Sequence, residues 1–401
     1  MATFSYRPDS RDYSSLLLAG VPLLDVRAPV EFAQGALPAA SNLPLMNNQE
    51  RAAVGACYKA SGQPAALALG HSLVSGSVRE ARLAAWQTWC EANPNGYLYC
   101  ARGGLRSHLV QQWLRERHIN FPLVEGGYRA LRQYALREMD ALAKRPMFII
   151  SGNTGCGKTL LVRELAYGVD LEGIARHRGS SFGRTLSPQP SQASFENQLA
   201  VTLLQKATAF GDRPGFRWIL EDEGASIGSR HLPLSLREGM QRADIMVIND
   251  PFERRLARLE EEYFRHMAAA FISRLGEENG WQAFSGYLRQ GLYAIRRRLG
   301  LENALRLNAL LEQALLRHRS HNDPGAHLSW LAPLLRDYYD PMYRYQLSKK
   351  IQSVCFEGTF EEVTAWLLEQ GVHRIDANLA APGQPKAQRC AFPVTRKKLP
   401  S

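Results

Sequence analysis

The chain has only six cysteines in 401 residues: Cys57, Cys90, Cys100, Cys156, Cys355 and Cys390. No two of them form a CxxC pair or fall at metal-ligand spacing. That excludes a disulfide framework and predicts unpaired thiols in a reducing compartment. No apolar run approaches the roughly 20 residues of a membrane span. The opening MATFSYRPDSRDY carries charges where a signal peptide needs an apolar core. A cytoplasmic protein with no membrane partner is expected. Acidic residues are the minority charge, 38 Asp and Glu against 49 Lys and Arg, for a net charge of +11. Such an excess favours a polyanionic partner, with nucleic acid the first candidate. Oligomeric state cannot be read from these features, and a monomer is the default.

Hydrophobic residues make up 45% of the chain, enough for two ordinary cores. The length suits about two domains of roughly 150 residues each. Short apolar runs at Val21 to Val26 and Tyr97 to Tyr99, with amphipathic stretches at Val78 to Cys90 and Ser107 to Glu116, predict a first α/β unit over 1–144. Arg132 to Pro146 reads as a helix and linker. The second unit, 145–380, opens with the strand Met147 to Ser151 and a helix over Thr159 to Tyr167. Further strands are expected at Val169 to Glu172, Arg217 to Glu221, Asp244 to Ile248 and Gln352 to Phe356. Five such strands predict a doubly wound domain of the P-loop type. The stretch about 251–345 is strongly helical and reads as an insertion before the last strand. Residues 381–401 are basic and Pro-rich, and read as an extended tail.

Two segments are built to hold tetrahedral anions. In YCARGGLRS, Cys100 follows a strand and heads a glycine turn that opens a helix near Ser107. Gly103 and Gly104 let backbone N–H groups converge, while Arg102 and Arg106 add charge. A helix N-terminus with nearby cations stabilises a thiolate, a perselenide or an incoming oxyanion. The region resembles the rhodanese family, on LLDVRAPVEFAQGALPAASNLP (Leu23 to Pro44), the cysteine loop, and PLVEGGYRAL (Pro122 to Leu131). That resemblance implies a rhodanese-like parallel sheet in which Cys100 carries a transferred chalcogen. Asp25, Arg27 and Glu31 match the opening pattern and read as structural. Cys100 and Arg106 also satisfy the Cys-x5-Arg phosphatase pattern, but Tyr99 stands where that pattern wants histidine.

The second segment, Gly152-Asn153-Thr154-Gly155-Cys156-Gly157-Lys158-Thr159, meets G-x-x-x-x-G-K-T. Backbone amides wrap phosphate oxygens, Lys158 neutralises charge, and the Thr159 hydroxyl is the usual magnesium ligand. The phosphate could belong to a nucleotide, another diphosphate or RNA. Glu221, Asp222 and Glu223 follow an expected strand and are candidate acid or magnesium groups. Arg178 and Ser180, in HRGSSFG, are placed for a second phosphate or nucleic acid. Arg296, Arg297 and Arg298 form a basic run. Tyr338, Tyr339, Tyr343, Arg344, Lys349 and Lys350 interleave aromatic rings with cations, a pattern that suits base stacking with backbone contacts. Equally, the tyrosines could pack between helix and sheet.

The order of CARGGLRS, SGNTGCGKT, HRGSSFG and LEDEGASIG, with ERAAVGACYKASG and YYDPMYRYQL, resembles the tRNA 2-selenouridine synthase family over nearly the whole chain. The resemblance implies conversion of wobble 2-thiouridine in tRNA to 2-selenouridine. It also implies two co-substrates, geranyl diphosphate and selenophosphate, and no tightly bound cofactor. S-geranylation makes the sulfur a better leaving group, and a Cys100 perselenide then delivers selenium. A selenium-delivery protein is a compatible partner. Two other readings remain open at this point. One is a P-loop kinase or ATPase with a docking module, and the other is a sulfur or selenium carrier without its own tRNA chemistry.

Overall fold

A computed structural model describes residues 6–213 and 215–375 and shows an α/β protein with two parallel sheets. The tail expected over 381–401 lies outside the described residues. The first sheet contains β1 (Leu23–Asp25), β2 (Ala40–Asn42) and β3 (Tyr97–Tyr99), in the order β2-β1-β3. Leu23, Leu24, Leu98 and Tyr99 are all buried, as parallel strands covered by helices on both faces require. β1 is shorter than the apolar run Val21 to Val26, because the Val21 N–H already bonds back to Leu16 O at 3.3 Å.

Further along come β4 (Met147–Gly152), β5 (Gly168–Val169), β6 (Trp218–Glu221), an antiparallel pair β7 (Ser226–Ile227) and β8 (Arg230–His231), β9 (Asp244–Ile248) and β10 (Val354–Gly358). Five of them form the second sheet, in the order β10-β9-β4-β6-β5, all parallel. The chain leaves β4 toward the β5 edge and later returns to place β9 on the other side. The β4–β9 crevice is therefore the topological switch point, where open α/β sheets bind ligands at their carboxyl ends.

Three element boundaries differ from the sequence reading. The strand expected over Val169 to Glu172 stops at Val169, because the Asp170 carboxylate accepts the Gly173 N–H at 2.7 Å and caps the helix Leu171–Ala175. The helix after the glycine loop ends at Glu164, and Leu165 turns extended to feed β5. The last strand begins at Val354, since Ile351–Ser353 is one 3-10 turn.

Helices cover most of the chain between β9 and β10. The long members are Glu277–Leu299 and Leu301–His321, and the group has its own core around Phe264, Phe284, Leu311 and Trp330. The two sheets are joined by packing. The helix Gly127–Leu142 lies on the helix Gln192–Phe210, where Arg132 donates to Asn197 Oδ1 (2.7 Å) and pairs with Glu196. Asn197 in turn donates to Ala36 O at 2.8 Å. Leu23 and Tyr99 share one apolar core with Met147, Leu199 and Trp218.

Candidate active site

Cys100 ends β3 and is buried, with Sγ 3.2 Å from Ser107 Oγ on the helix Leu105–Glu116. Ser107 can donate its single proton to Gly104 O (2.9 Å) or to the sulfur. The loop is clamped by the Gly126-Gly127 turn. The Tyr128 and Arg129 amides donate to Cys100 O (2.9 Å) and Ala101 O (3.0 Å). Gly127 has φ +60, and a Cβ there would lie 2.3 Å from Cys100 O, so only glycine fits. The amides of Arg102, Gly103 and Gly104 have no hydrogen-bond partner among the described residues, and they surround the start of that helix.

The two loop arginines differ. Arg102 is exposed and unpaired. Arg106 is half-buried and bound by Glu31 through two hydrogen bonds, at 2.6 and 3.0 Å, while Arg51 approaches the same carboxylate at 3.1 Å. Asp25 and Arg27 form a buried ion pair, and Arg27 also donates to Gly35 O at 2.7 Å. The Tyr99 ring is buried below Arg27, and its hydroxyl has no partner. Burial pushes that phenol far above its ordinary range, with Asp25 adding to the effect.

In the second sheet, Gly152, Gly155 and Gly157 have φ of +140, +81 and +97. At Gly152 a Cβ would lie 2.5 Å from Ile248 O on β9 and 2.8 Å from the Cys156 sulfur. The close approach of β4 and β9 therefore demands glycine. Lys158 Nζ donates to Gly152 O at 2.7 Å, lies 3.9 Å from Cys156 Sγ, and sits 5.4 Å from the Tyr343 ring centroid. Burial opposes its charge, but Cys156, Tyr343, Glu172 and Glu223 outweigh it and hold the ammonium above its ordinary range. The amides of Thr154, Gly155 and Gly157 have no partner among the described residues, whereas Asn153 O accepts the Cys156 N–H at 3.2 Å.

The loop's outer side is held by residues the sequence reading did not select. Arg255 donates to Thr154 O at 2.9 Å and forms a buried pair with Asp340 at 2.6 Å. Arg258 reaches Gly155 O (3.2 Å) and Cys156 O (3.1 Å) while bonded to buried Asp250. Both arginines lie on the helix Phe252–Leu259 three residues apart, a spacing that puts them on one face. That spacing was the available signal.

The carboxylates gather on the other side. Thr159 Oγ1 donates to Glu172 at 3.1 Å. Glu221 accepts the Leu171 (3.0 Å) and Glu172 (3.3 Å) amides on one oxygen, and its other oxygen is buried with no hydrogen bond among the described residues. Burial raises Glu172, Glu221 and Glu223, the last to about 8. Asp222 accepts from Ser151 Oγ (2.8 Å) and Lys350 Nζ (2.6 Å), which ties it to β4.

The remaining candidates scatter. Arg178 pairs with Glu262 at 2.9 Å and stacks on Tyr263, with its Nη1 buried and unpartnered. Ser180 lines an apolar cleft that also includes Thr154, Phe182, Phe264, Trp330 and Leu334. Tyr339 is buried, and its hydroxyl meets Ser181 at 2.7 Å. Neither Tyr339 nor Tyr343 is an open stacking platform: one fills the insertion core and the other lies against Lys158. Tyr338 is half-buried beside Tyr339. Lys350 is engaged by Asp222, whereas Arg344 and Lys349 are exposed. Arg296 lies on the Tyr293 ring, and Arg297 and Arg298 are exposed at the end of the helix Glu277–Leu299.

A parallel sheet whose first strand runs into a G-x-x-x-x-G-K-T loop at the switch point makes this a P-loop protein. Residues 145–374 match the family model described as the tRNA 2-selenouridine synthase AAA domain. Relatives named tRNA 2-selenouridine synthase are similar along most of the chain. The protein of Cronobacter sakazakii is 60% identical over 362 residues, covering 90% of this chain and 96% of its own. Those of Salmonella paratyphi A and Salmonella typhimurium are 58% and 57% identical over 364 residues, each covering 91% of this chain and 99% of its own. The chain belongs to the tRNA 2-selenouridine synthase family. Among the described residues no helix is long and apolar enough to cross a membrane.

Proposed function

We propose that this protein converts 2-thiouridine at the wobble position of tRNA to 2-selenouridine in two steps, one at each anion loop. The reading rests on one observation above all: two separate glycine loops with amides unpaired among the described residues, one headed by Cys100 with its Sγ 3.2 Å from Ser107 Oγ, the other carrying Lys158.

In the first step the P-loop holds geranyl diphosphate. The thiocarbonyl sulfur forms a bond to the geranyl carbon, the carbon–oxygen bond breaks, and pyrophosphate leaves. Lys158 and the loop amides meet the charge that develops on the departing oxygens. The apolar cleft beside Thr154, lined by Phe182, Phe264 and Trp330, has an open volume of about 30 Å³, so a hydrocarbon tail would enter it only with these side chains moving apart. A magnesium ion fits the same loop. Thr159 and Glu172 would hold it with the diphosphate, and it would screen phosphate charge. One Glu221 oxygen, buried without a hydrogen bond among the described residues, supports a cation there. Among the described residues no three His, Cys, Asp or Glu side chains form a metal cage, and a phosphate-bridged magnesium needs none.

In the second step the rhodanese-like unit supplies selenium from selenophosphate, directly or through a delivery protein. The Cys100 thiolate attacks the phosphorus of selenophosphate, the phosphorus–selenium bond breaks and selenide is released beside the loop, whose amides and Arg102 hold the phosphoryl group until water hydrolyses the sulfur–phosphorus bond. The released selenide attacks C2 of the base and the geranyl thiolate departs, a far better leaving group than the original thiocarbonyl sulfur. The test is nucleoside mass spectrometry after incubating the protein with 2-thiouridine tRNA and both co-substrates. 2-Selenouridine is expected. Unchanged 2-thiouridine would remove the reading, and RNA-independent ATP turnover would favour a kinase instead.

A further inference from the structure

A second cavity, of about 560 Å³, lies between the loop Arg176–Gln189 and the β7–β8 turn. Its wall carries Arg176, His177, Arg184 and Arg230, and no carboxylate lines it. Arg184 donates to Gln290 at 3.1 Å and Arg230 to Ser229 at 2.9 Å, both neutral partners. Among the described residues, no carboxylate pairs with any of the three arginines. Positive charge at this density without a counter-charge is costly unless an anion is meant to sit there. Arg230 Nε and His177 Nδ1 are buried with no hydrogen-bond partner among the described residues.

The walls are fixed in advance. Gln189 Nε2 donates to both Ala175 O and Ile227 O at 3.0 Å, and its oxygen accepts the Ser229 amide at 2.8 Å. Arg176 occupies a left-handed helix end, φ +51, a position that favours glycine, yet the chain keeps a long cation there. The same loop reaches the P-loop carboxylates: a Cβ on Gly179 would lie 2.9 Å from Glu223 Oε2. The loop that lines the cavity thus also borders the carboxylates beside the P-loop.

We propose that this cavity binds a phosphodiester-linked nucleotide of the RNA substrate, next in the strand to the base being modified. The proposal rests on the tRNA reading above and adds where the strand is held. The space, about 560 Å³, exceeds what one inorganic phosphate fills.

The test is fluorescence anisotropy of a labelled anticodon stem-loop RNA, read across a salt series, with wild type and Arg184→Ala/Arg230→Ala. The variant should bind about tenfold more weakly, and its log–log salt slope should fall by about one to two, as expected for one or two lost phosphate contacts. Pyrophosphate affinity, measured by calorimetry on the same samples, should be unchanged, which shows that the P-loop unit remains folded. Equal RNA affinity and slope in the two proteins would overturn the proposal. So would arginine-dependent binding of free phosphate or adenosine monophosphate with RNA affinity untouched. A wild type that binds no RNA would remove the tRNA reading as well, whereas RNA binding insensitive to both arginines removes this site alone.

Discussion

Glu31 grips Arg106 through two hydrogen bonds, at 2.6 and 3.0 Å, on the helix that follows the Cys100 loop. Arg106 is thus neutralised from behind, while Arg102, within the loop, is exposed and has no ion pair among the described residues. Burial pushes the Glu31 carboxyl up, but Arg106 outweighs it, helped by the Ala28 amide and Arg51, and the net shift is downward. A carboxyl lowered on folding stabilises the protein above its unfolded value of 4.5, and that stability is lost as pH falls through the lower folded value. Glu31→Gln should cost about 1–3 kcal/mol at pH 7 by leaving Arg106 unpaired. It should also flatten the acid limb below pH 4.5. Urea unfolding at pH 3.5 and 7 measures both effects.

Arg255 is predicted to shape the phosphate loop as well as to stabilise the fold. Arg255→Ala strands buried Asp340 and should cost about 3–5 kcal/mol. The pair Arg255→Met/Asp340→Leu should recover most of that stability, since it removes both charges. Yet it still deprives Thr154 O of its donor. Pyrophosphate affinity, by calorimetry, should therefore stay weakened by about tenfold in the stable double variant, a loss equivalent to one hydrogen bond. Full recovery of affinity would show that Arg255 acts only through packing.

The Glu223 carboxyl is pushed up to about 8, chiefly by burial and then by Glu172, with Lys158 opposing. Between its unfolded value of 4.5 and about 8, the folded form keeps a proton that the unfolded chain has lost. Stability must therefore fall as pH rises through that window. Glu223→Gln should reduce the slope and make the protein more stable than wild type at pH 8. Denaturant titrations at pH 5, 6.5 and 8 follow it. An unchanged slope would assign the effect to Glu172 and Glu221.

The sequence disclosed features set by local chemistry. β3 and β9 run as expected because their apolar stretches are buried on both faces. The glycine loops were legible because phosphate geometry dictates their spacing. Contacts set by tertiary packing were hidden. Tyr339 and Tyr343 stand among cations in sequence, yet one is buried against Ser181 and the other against Lys158. Glu172 was read as the end of a strand, when Asp170 starts a helix and turns Glu172 toward Thr159. The pairing of Arg255 is hidden in the sequence because Asp340, its partner, lies 85 positions away.

The division of labour is tested most directly by following both steps in parallel variants. Wild type, Cys100→Ala and Lys158→Ala would each be incubated with 2-thiouridine tRNA, geranyl diphosphate and selenophosphate, and the nucleosides resolved by mass spectrometry. The account predicts 2-selenouridine from wild type, accumulated S-geranyl-2-thiouridine from Cys100→Ala, and unchanged 2-thiouridine from Lys158→Ala. 2-Selenouridine formed by Cys100→Ala, or geranylation at the wild-type rate by Lys158→Ala, would contradict it.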